Sequence, residues 1–100
     1  MVNIAIFVSG NGSNCENIIR HFAISDVARV ALVVSNRADA FALVRARNLG
    51  VPAITLSKAD FANQEYTLKV LDSYGIGFVV LAGFLMMVPG YLISHYHLKM

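Results

Sequence analysis

Four short apolar runs punctuate the chain, and stretches of helical periodicity separate them. Val2 to Val8 is the first run, and it stops abruptly at Ser9-Gly10-Asn11-Gly12-Ser13-Asn14. Ala28 to Val34 is the second, Ala53 to Leu56 the third and Phe78 to Ala82 the fourth. Runs this short and continuous, rich in β-branched residues, suit strands covered on both faces. The segments between them predict helices from Cys15 to about Phe22, from the region of Asp39 to Leu49, and from about Phe61 to Tyr74. Gly50 followed by Pro52 ends the second helix, as a left-handed cap and then a breaker. Ser57 with Asp60 offers a weaker cap for the third, Gly75 closes it, and Pro89 starts a last short helix.

Strands alternating with helices of this length imply right-handed crossovers and a parallel sheet. The expected class is α/β: a Rossmann-like parallel sheet of order 3-2-1-4 with helices on both faces, in one domain spanning residues 1–100. In that order the chain changes direction around strand one, so strands one and four lie side by side. Their exit loops, Ser9 to Asn14 and Gly83 to Val88, then meet at the C-terminal edge of the sheet, where open α/β sheets bind ligands.

The first of these loops carries the strongest chemical signal. Glycines allow a sharp turn and a close approach of backbone to ligand. The first amides of a following helix have no intrahelical partner, and the helix dipole adds partial positive charge there. A phosphate placed at that end gains several hydrogen bonds at once. The loop also permits a reading without a ligand. Ser13 with Glu16 fits a capping box, and Asn-Gly pairs are ordinary turn formers. It matches neither the dinucleotide fingerprint nor the P-loop consensus.

Composition narrows the setting. Of the 100 residues 57% are hydrophobic and only 14% charged, where about 25% charged is typical. A small domain has proportionally more surface and should carry more charge, so the chain reads like the inner part of something larger or a subunit with a large covered face. Net charge is +2, and the basic residues are scattered without interleaved aromatics, so nucleic-acid binding is not expected. The lone Cys15 excludes an internal disulfide and suits a reducing cytoplasm. No basic stretch precedes the first apolar run, so a signal peptide is not expected. Ser73 to Leu98 lacks any Asp, Glu, Lys or Arg, long enough on paper to span a membrane. Gly75, Gly77, Gly83, Pro89 and Gly90 interrupt it, and a buried strand accounts for it better.

The other chemically capable residues form no constellation in sequence. His21 stands alone on the first helix. His95 and His97 fall on different faces of a helix, with no Cys, Asp or Glu beside them, so no metal site is expected. Cys15 lies where a helix N-terminus can lower a thiol pKa, yet no base stands next to it and buried packing accounts for it better. Leu85, Met86, Met87 and Val88 read as an apolar ligand wall or as core, and by spacing alone core accounts for them better.

Three segments together, Ser9-Gly10-Asn11-Gly12-Ser13-Asn14, Ser35-Asn36-Arg37-Ala38-Asp39-Ala40-Phe41 and Val80-Leu81-Ala82-Gly83-Phe84, resemble the glycinamide ribonucleotide transformylases, or phosphoribosylglycinamide formyltransferases. The resemblance spans the whole chain. It implies formyl transfer from 10-formyltetrahydrofolate to the amine of glycinamide ribonucleotide in purine biosynthesis. It also implies roles: Gly12, Ser13 and Asn14 for the ribose phosphate, and Leu85, Met86, Met87 and Val88 for the folate, largely through backbone groups. Met86 stands where the family usually has Arg, and Gln64 lies closest to a second usual Arg, which removes positive charge near the folate. The family's catalytic Asn and His, in an Asn-x-His-Pro segment, and its catalytic Asp have no counterparts in residues 1–100, so no catalytic residue is assigned. On this basis the chain is the N-terminal half of the enzyme, with the C-terminal half supplied in cis or in trans, and alone it is expected to transfer no formyl group. A non-catalytic module that binds phosphate or nucleotide is the alternative. A sister enzyme with another acceptor is disfavoured, because a phosphate cradle is pointless without a phosphate. With strand four at an open edge, marginal stability or association through that edge is expected.

Overall fold

The computed structural model describes residues 1–99, with side chains through Tyr96. Five parallel strands form one sheet in the order β3-β2-β1-β4-β5. They are β1 (Val2–Val8), β2 (Ala28–Ser35), β3 (Ala53–Thr55), β4 (Ile76–Leu81) and β5 (His97–Lys99). The anticipated 3-2-1-4 order is present, with one strand more. Because β5 pairs with β4 from Phe78 to Val80, β4 is not an edge strand, contrary to expectation. Three residues opposite a distant strand leave too short an apolar run to detect locally.

Residues alternate across β1. Ile4, Ile6 and Val8 face one layer, with Val33 of β2 and with Cys15, Ile19, Leu43 and Ala46. These last four lie on helices α1 (Ser13–Phe22) and α2 (Phe41–Asn48). Ala5 and Phe7 face the other layer, with Leu32, Val34, Val79, Phe61, Leu71 and Leu92. Here lie α3 (Lys58–Ala62), α4 (Gln64–Ser73) and α5 (Gly90–His95). Helices therefore cover both faces of a central strand that is apolar on both, which is why β1 shows no polar alternation.

Local signals were realised unevenly. Ser57 forms a full capping box: its Oγ accepts from the Asp60 amide and Asp60 Oδ2 accepts from the Ser57 amide. The single helix expected from Phe61 to Tyr74 is two helices. Asn63 leaves helical geometry at φ −93°, ψ 93° and caps α4 by accepting from the Tyr66 amide. Thr67, buried on α4, ties the break together by donating to Asp60 O at 2.7 Å. Asp39 does not begin α2, which starts at Phe41 with no acidic residue in its first turn, and Asp39 instead pairs with Arg37. No helix among the described residues is long and apolar enough to cross a membrane.

Candidate functional site

Beyond β1 the chain turns through residues 9–12 into α1. Gly12 is the N-cap, with φ 84° and ψ 16°, a conformation that costs other L-residues energy. Its packing is as restrictive as its backbone. A Cβ on Gly12 would lie 2.4 Å from Ala42 Cβ and 2.5 Å from Ala42 Cα, so glycine lets α1 begin directly against the start of α2.

The anticipated Ser13–Glu16 capping box does not form. Ser13 is already inside the helix, and no side chain caps it. Glu16 turns instead to two arginines, Arg20 at 3.2 Å and Arg45 of α2 at 3.1 Å. Hydrogen bonds from Arg45 first, then Arg20, hold its carboxyl below the ordinary carboxylate range. With Glu16 withdrawn, the first amides of α1 keep their donors and positive dipole end for something else. A cleft of about 170 Å³ lies there, lined by Gly10, Gly12, Ser13, Asn14 and Gly83 among others. Ser13 and Asn14 are exposed on it and Gly12 is buried beneath.

Ser9 joins this loop to its neighbours. It is almost fully buried, at 1% exposure. Its hydroxyl donates to Asn36 Oδ1 at 2.7 Å, beyond β2, and accepts from the Leu85 amide at 2.8 Å, beyond β4. Its own amide donates to Gly83 O. One side chain thus binds three strand exits, and the two loops expected to converge do so.

The loop after β4 presents a second surface. Phe84 anchors it, packing at 5.4 Å from Phe7 and 5.7 Å from Phe61 between ring centroids. Leu85 and Met87 are 83% and 89% exposed, so core packing, as spacing alone suggested, is wrong for them. The anchoring of Phe84 turns the neighbouring side chains outward. Met86 and Val88 are half-buried against the lower core. Leu85, Met86 and Met87 line an apolar cavity of about 450 Å³ with Phe61, Ala62, Pro89 and Lys58. Val88 does not line it. Lys58 places a cation at this cavity, and no local motif marks that residue.

The remaining candidates take structural positions. Cys15 is buried, and burial first, then the Glu16 charge, pushes its thiol up to about 11. Any lowering by the helix end is outweighed, so it packs as a small apolar residue. His21 stacks edge-on against Phe22, and His95 against Tyr96. The His97 side chain lies outside the described residues. No three metal-ligating side chains cluster among the described residues.

Comparison with known proteins bears on this arrangement. Phosphoribosylglycinamide formyltransferase from Escherichia coli K12 is 38% identical over 95% of this chain and 47% of its own length. The protein of the same name from Haemophilus influenzae is 34% identical over 85% of this chain and 42% of its own. Among solved structures, glycinamide ribonucleotide transformylase 1 from Geobacillus kaustophilus superposes with a TM-score of 0.84 at 33% identity, covering 96% of this chain and 54% of that one. The chain spans somewhat less than half the length of these two curated relatives. Residues 2–100 match the family model described as formyl transferase, and with a parallel sheet in the same superposable arrangement the chain belongs to the formyl transferase family.

Proposed function

We propose that this chain supplies the acceptor-phosphate subsite and part of the folate subsite for formyl transfer from 10-formyltetrahydrofolate to glycinamide ribonucleotide in purine biosynthesis. The observation that carries it is the uncapped start of α1, opened by the left-handed Gly12 and tied through Ser9 to the loop after β4. Gly12 brings backbone close to the phosphate, and the exposed Ser13 and Asn14 surround it with amide and side-chain donors.

The cavity beside Leu85, Met86 and Met87 fits the folate. A flat heterocycle gains contact area on exposed thioether and aliphatic groups, and residues 83–88 lie outside helix and strand, leaving backbone groups to pair with its polar edge. Val88, half-buried and outside the cavity lining, supports the loop from below. Lys58 returns positive charge to a cavity where Met86 stands for a usual arginine; Gln64, closest to the second usual arginine, does not line it. When bound, the folate supplies the formyl group. The chain's part is to hold donor and acceptor on adjoining loops at a fixed separation, the entropic part of catalysis.

Residues 1–100 alone are expected to bind without transferring, since they hold no counterpart of the Asn-x-His-Pro segment. A C-terminal half, in cis or in trans, completes the reading, and a cytoplasmic setting suits it. Calorimetric titration with glycinamide ribonucleotide, and with the same compound lacking its phosphate, tests the site. Binding that requires the phosphate is expected; equal affinity for both, or none for either, refutes the subsite. Formyl transfer by purified 1–100 refutes the division of labour.

A further inference from the structure

The carbonyl oxygens of Gly10, Asn11 and Gly12 are all engaged, the first two by residues of α2. Gly10 O accepts from the Ala42 amide at 3.2 Å, and Gly12 O accepts from the Glu16 amide at 2.8 Å. Asn11, between the two glycines, has both its oxygens taken by Arg45. Nε donates to Asn11 O at 2.9 Å and to Oδ1 at 3.1 Å, and Nη2 donates to Oδ1 at 2.6 Å. The third guanidinium nitrogen, Nη1, donates to Glu16 Oε1 at 3.1 Å. The guanidinium carbon sits 4.9 Å from the centroid of the Phe41 ring, which fixes the group from behind. Arg45 does not line the cleft at the start of α1.

This arrangement matters because the Asn11–Gly12 peptide meets little torsional resistance to rotation. Its flanking torsions belong partly to glycine, which accepts either sign of φ. Rotation of that peptide would swing a carbonyl oxygen toward the cleft, where its partial negative charge opposes an anion. A fork that grips the main-chain and side-chain oxygens together opposes the rotation. We propose that Arg45 is a positioning residue for the phosphate subsite, holding the Asn11–Gly12 peptide with its oxygen turned away from the cleft. The inference rests on the phosphate reading above and names what sets that subsite's affinity. Arg45 acts through the loop and not as a ligand, since its guanidinium is turned to Asn11 and Glu16 and does not line the cleft.

The test is titration of the full chain with ribose 5-phosphate, with urea unfolding of each variant alongside. Arg45→Met should weaken binding about tenfold or more, because the loop must be ordered at the expense of ligand affinity. Arg45→Lys keeps the charge and can still reach Glu16, but a single ammonium cannot reproduce the fork. It should therefore lose affinity to a similar extent, and it carries the test if Arg45→Met does not fold. Asn11→Ala keeps the main-chain oxygen and should lose less. The double variant Arg45→Met/Asn11→Ala should bind no more weakly than Arg45→Met alone, because both changes act through one contact. Ser57→Ala, at the cap of α3, lowers stability without touching the loop and should leave affinity unchanged. Full affinity in Arg45→Lys overturns positioning in favour of simple charge. Affinity within twofold of the parent in Arg45→Met, or affinity that merely follows stability across the set, overturns it altogether. A parent chain that binds no ribose 5-phosphate overturns the phosphate reading itself, a result distinct from either.

Discussion

Replacing Gly12 by alanine separates two costs that the structure places at one residue. The first is conformational, because φ 84° lies in the left-handed region, which costs an L-residue about 1–2 kcal/mol. The second is steric: the new Cβ would stand 2.5 Å from Ala42 Cα. That neighbour is backbone and cannot turn aside, so α1 and α2 must separate. Overpacking of this kind typically costs about 1–3 kcal/mol. The sum is about 2–5 kcal/mol, against a total stability of about 5–15 kcal/mol for a natural domain. Two other glycines calibrate the terms. Gly50 has φ 77° and nothing within 4 Å of an added Cβ, so Gly50→Ala reports the conformational cost alone. Gly10 has neither a positive φ nor a close neighbour, and Gly10→Ala should stay within about 0.5 kcal/mol of the parent. Urea unfolding should rank the three as Gly12→Ala, Gly50→Ala and Gly10→Ala, most destabilised first, with the first midpoint falling by about 1 M or more. A Gly12→Ala chain no less stable than Gly50→Ala would refute the close approach of the two helices.

Three further outcomes follow from other contacts. Ser9→Ala leaves the Leu85 amide without its acceptor and Asn36 without its donor, at a cost of about 1–3 kcal/mol, and amide exchange at Leu85 should accelerate; unchanged protection there would contradict the three-loop junction. Ser57→Ala removes the α3 cap and should cost about 1 kcal/mol, read from the thermal midpoint, while an unaltered midpoint would mean the box adds nothing in context. Cys15, with its thiol raised to about 11, should resist alkylation at pH 8 until urea unfolds the chain. Because the unfolded thiol ionises first, near pH 8.5, stability should be intact below that pH and decline as the pH climbs toward 11. Cys15→Ala should flatten that alkaline limb, and a native chain that alkylates readily would place the thiol at the surface.

The layers were legible in sequence because both neighbours of β1 are parallel and the strand is covered on both faces. That leaves an uninterrupted apolar run where an antiparallel edge would alternate. Gly50, followed by Pro52, marked the end of α2 for a local reason, the left-handed cap. What local patterns could not supply was competition between distant partners. Ser13 and Glu16 had the spacing of a capping box, but Arg45, 29 residues away from Glu16, takes the carboxylate. Asn63 sat inside a helical periodicity and broke it, because its side chain offers the backbone an alternative to the next helical bond. At the site, convergence of the two loops followed from strand order, whereas the part played by Ser9 did not. A serine at a strand end looks like any other until the fold brings Asn36 and Leu85 to its hydroxyl. The outward posture of Leu85 and Met87 was likewise hidden, since an apolar tetrapeptide reads as core unless the anchoring of Phe84 is known.

The first described strand in chain order occupies the middle of the sheet, and this orders the assembly of the molecule. As synthesis proceeds, β1 can pair with β2 and β3 while its other edge waits for β4, some seventy residues later in translation. The loop that follows it waits longer still. Gly10 and Asn11 are held by Ala42 and Arg45, and Ser9 is held by Gly83 and Leu85. A nascent chain therefore carries the glycine loop well before it has a finished cleft, which waits until residue 85 has emerged and folded back. Arrested chains of increasing length should gain the ability to retain a phosphorylated ligand in one late step, making occupancy of that cleft a readout of tertiary completion during translation.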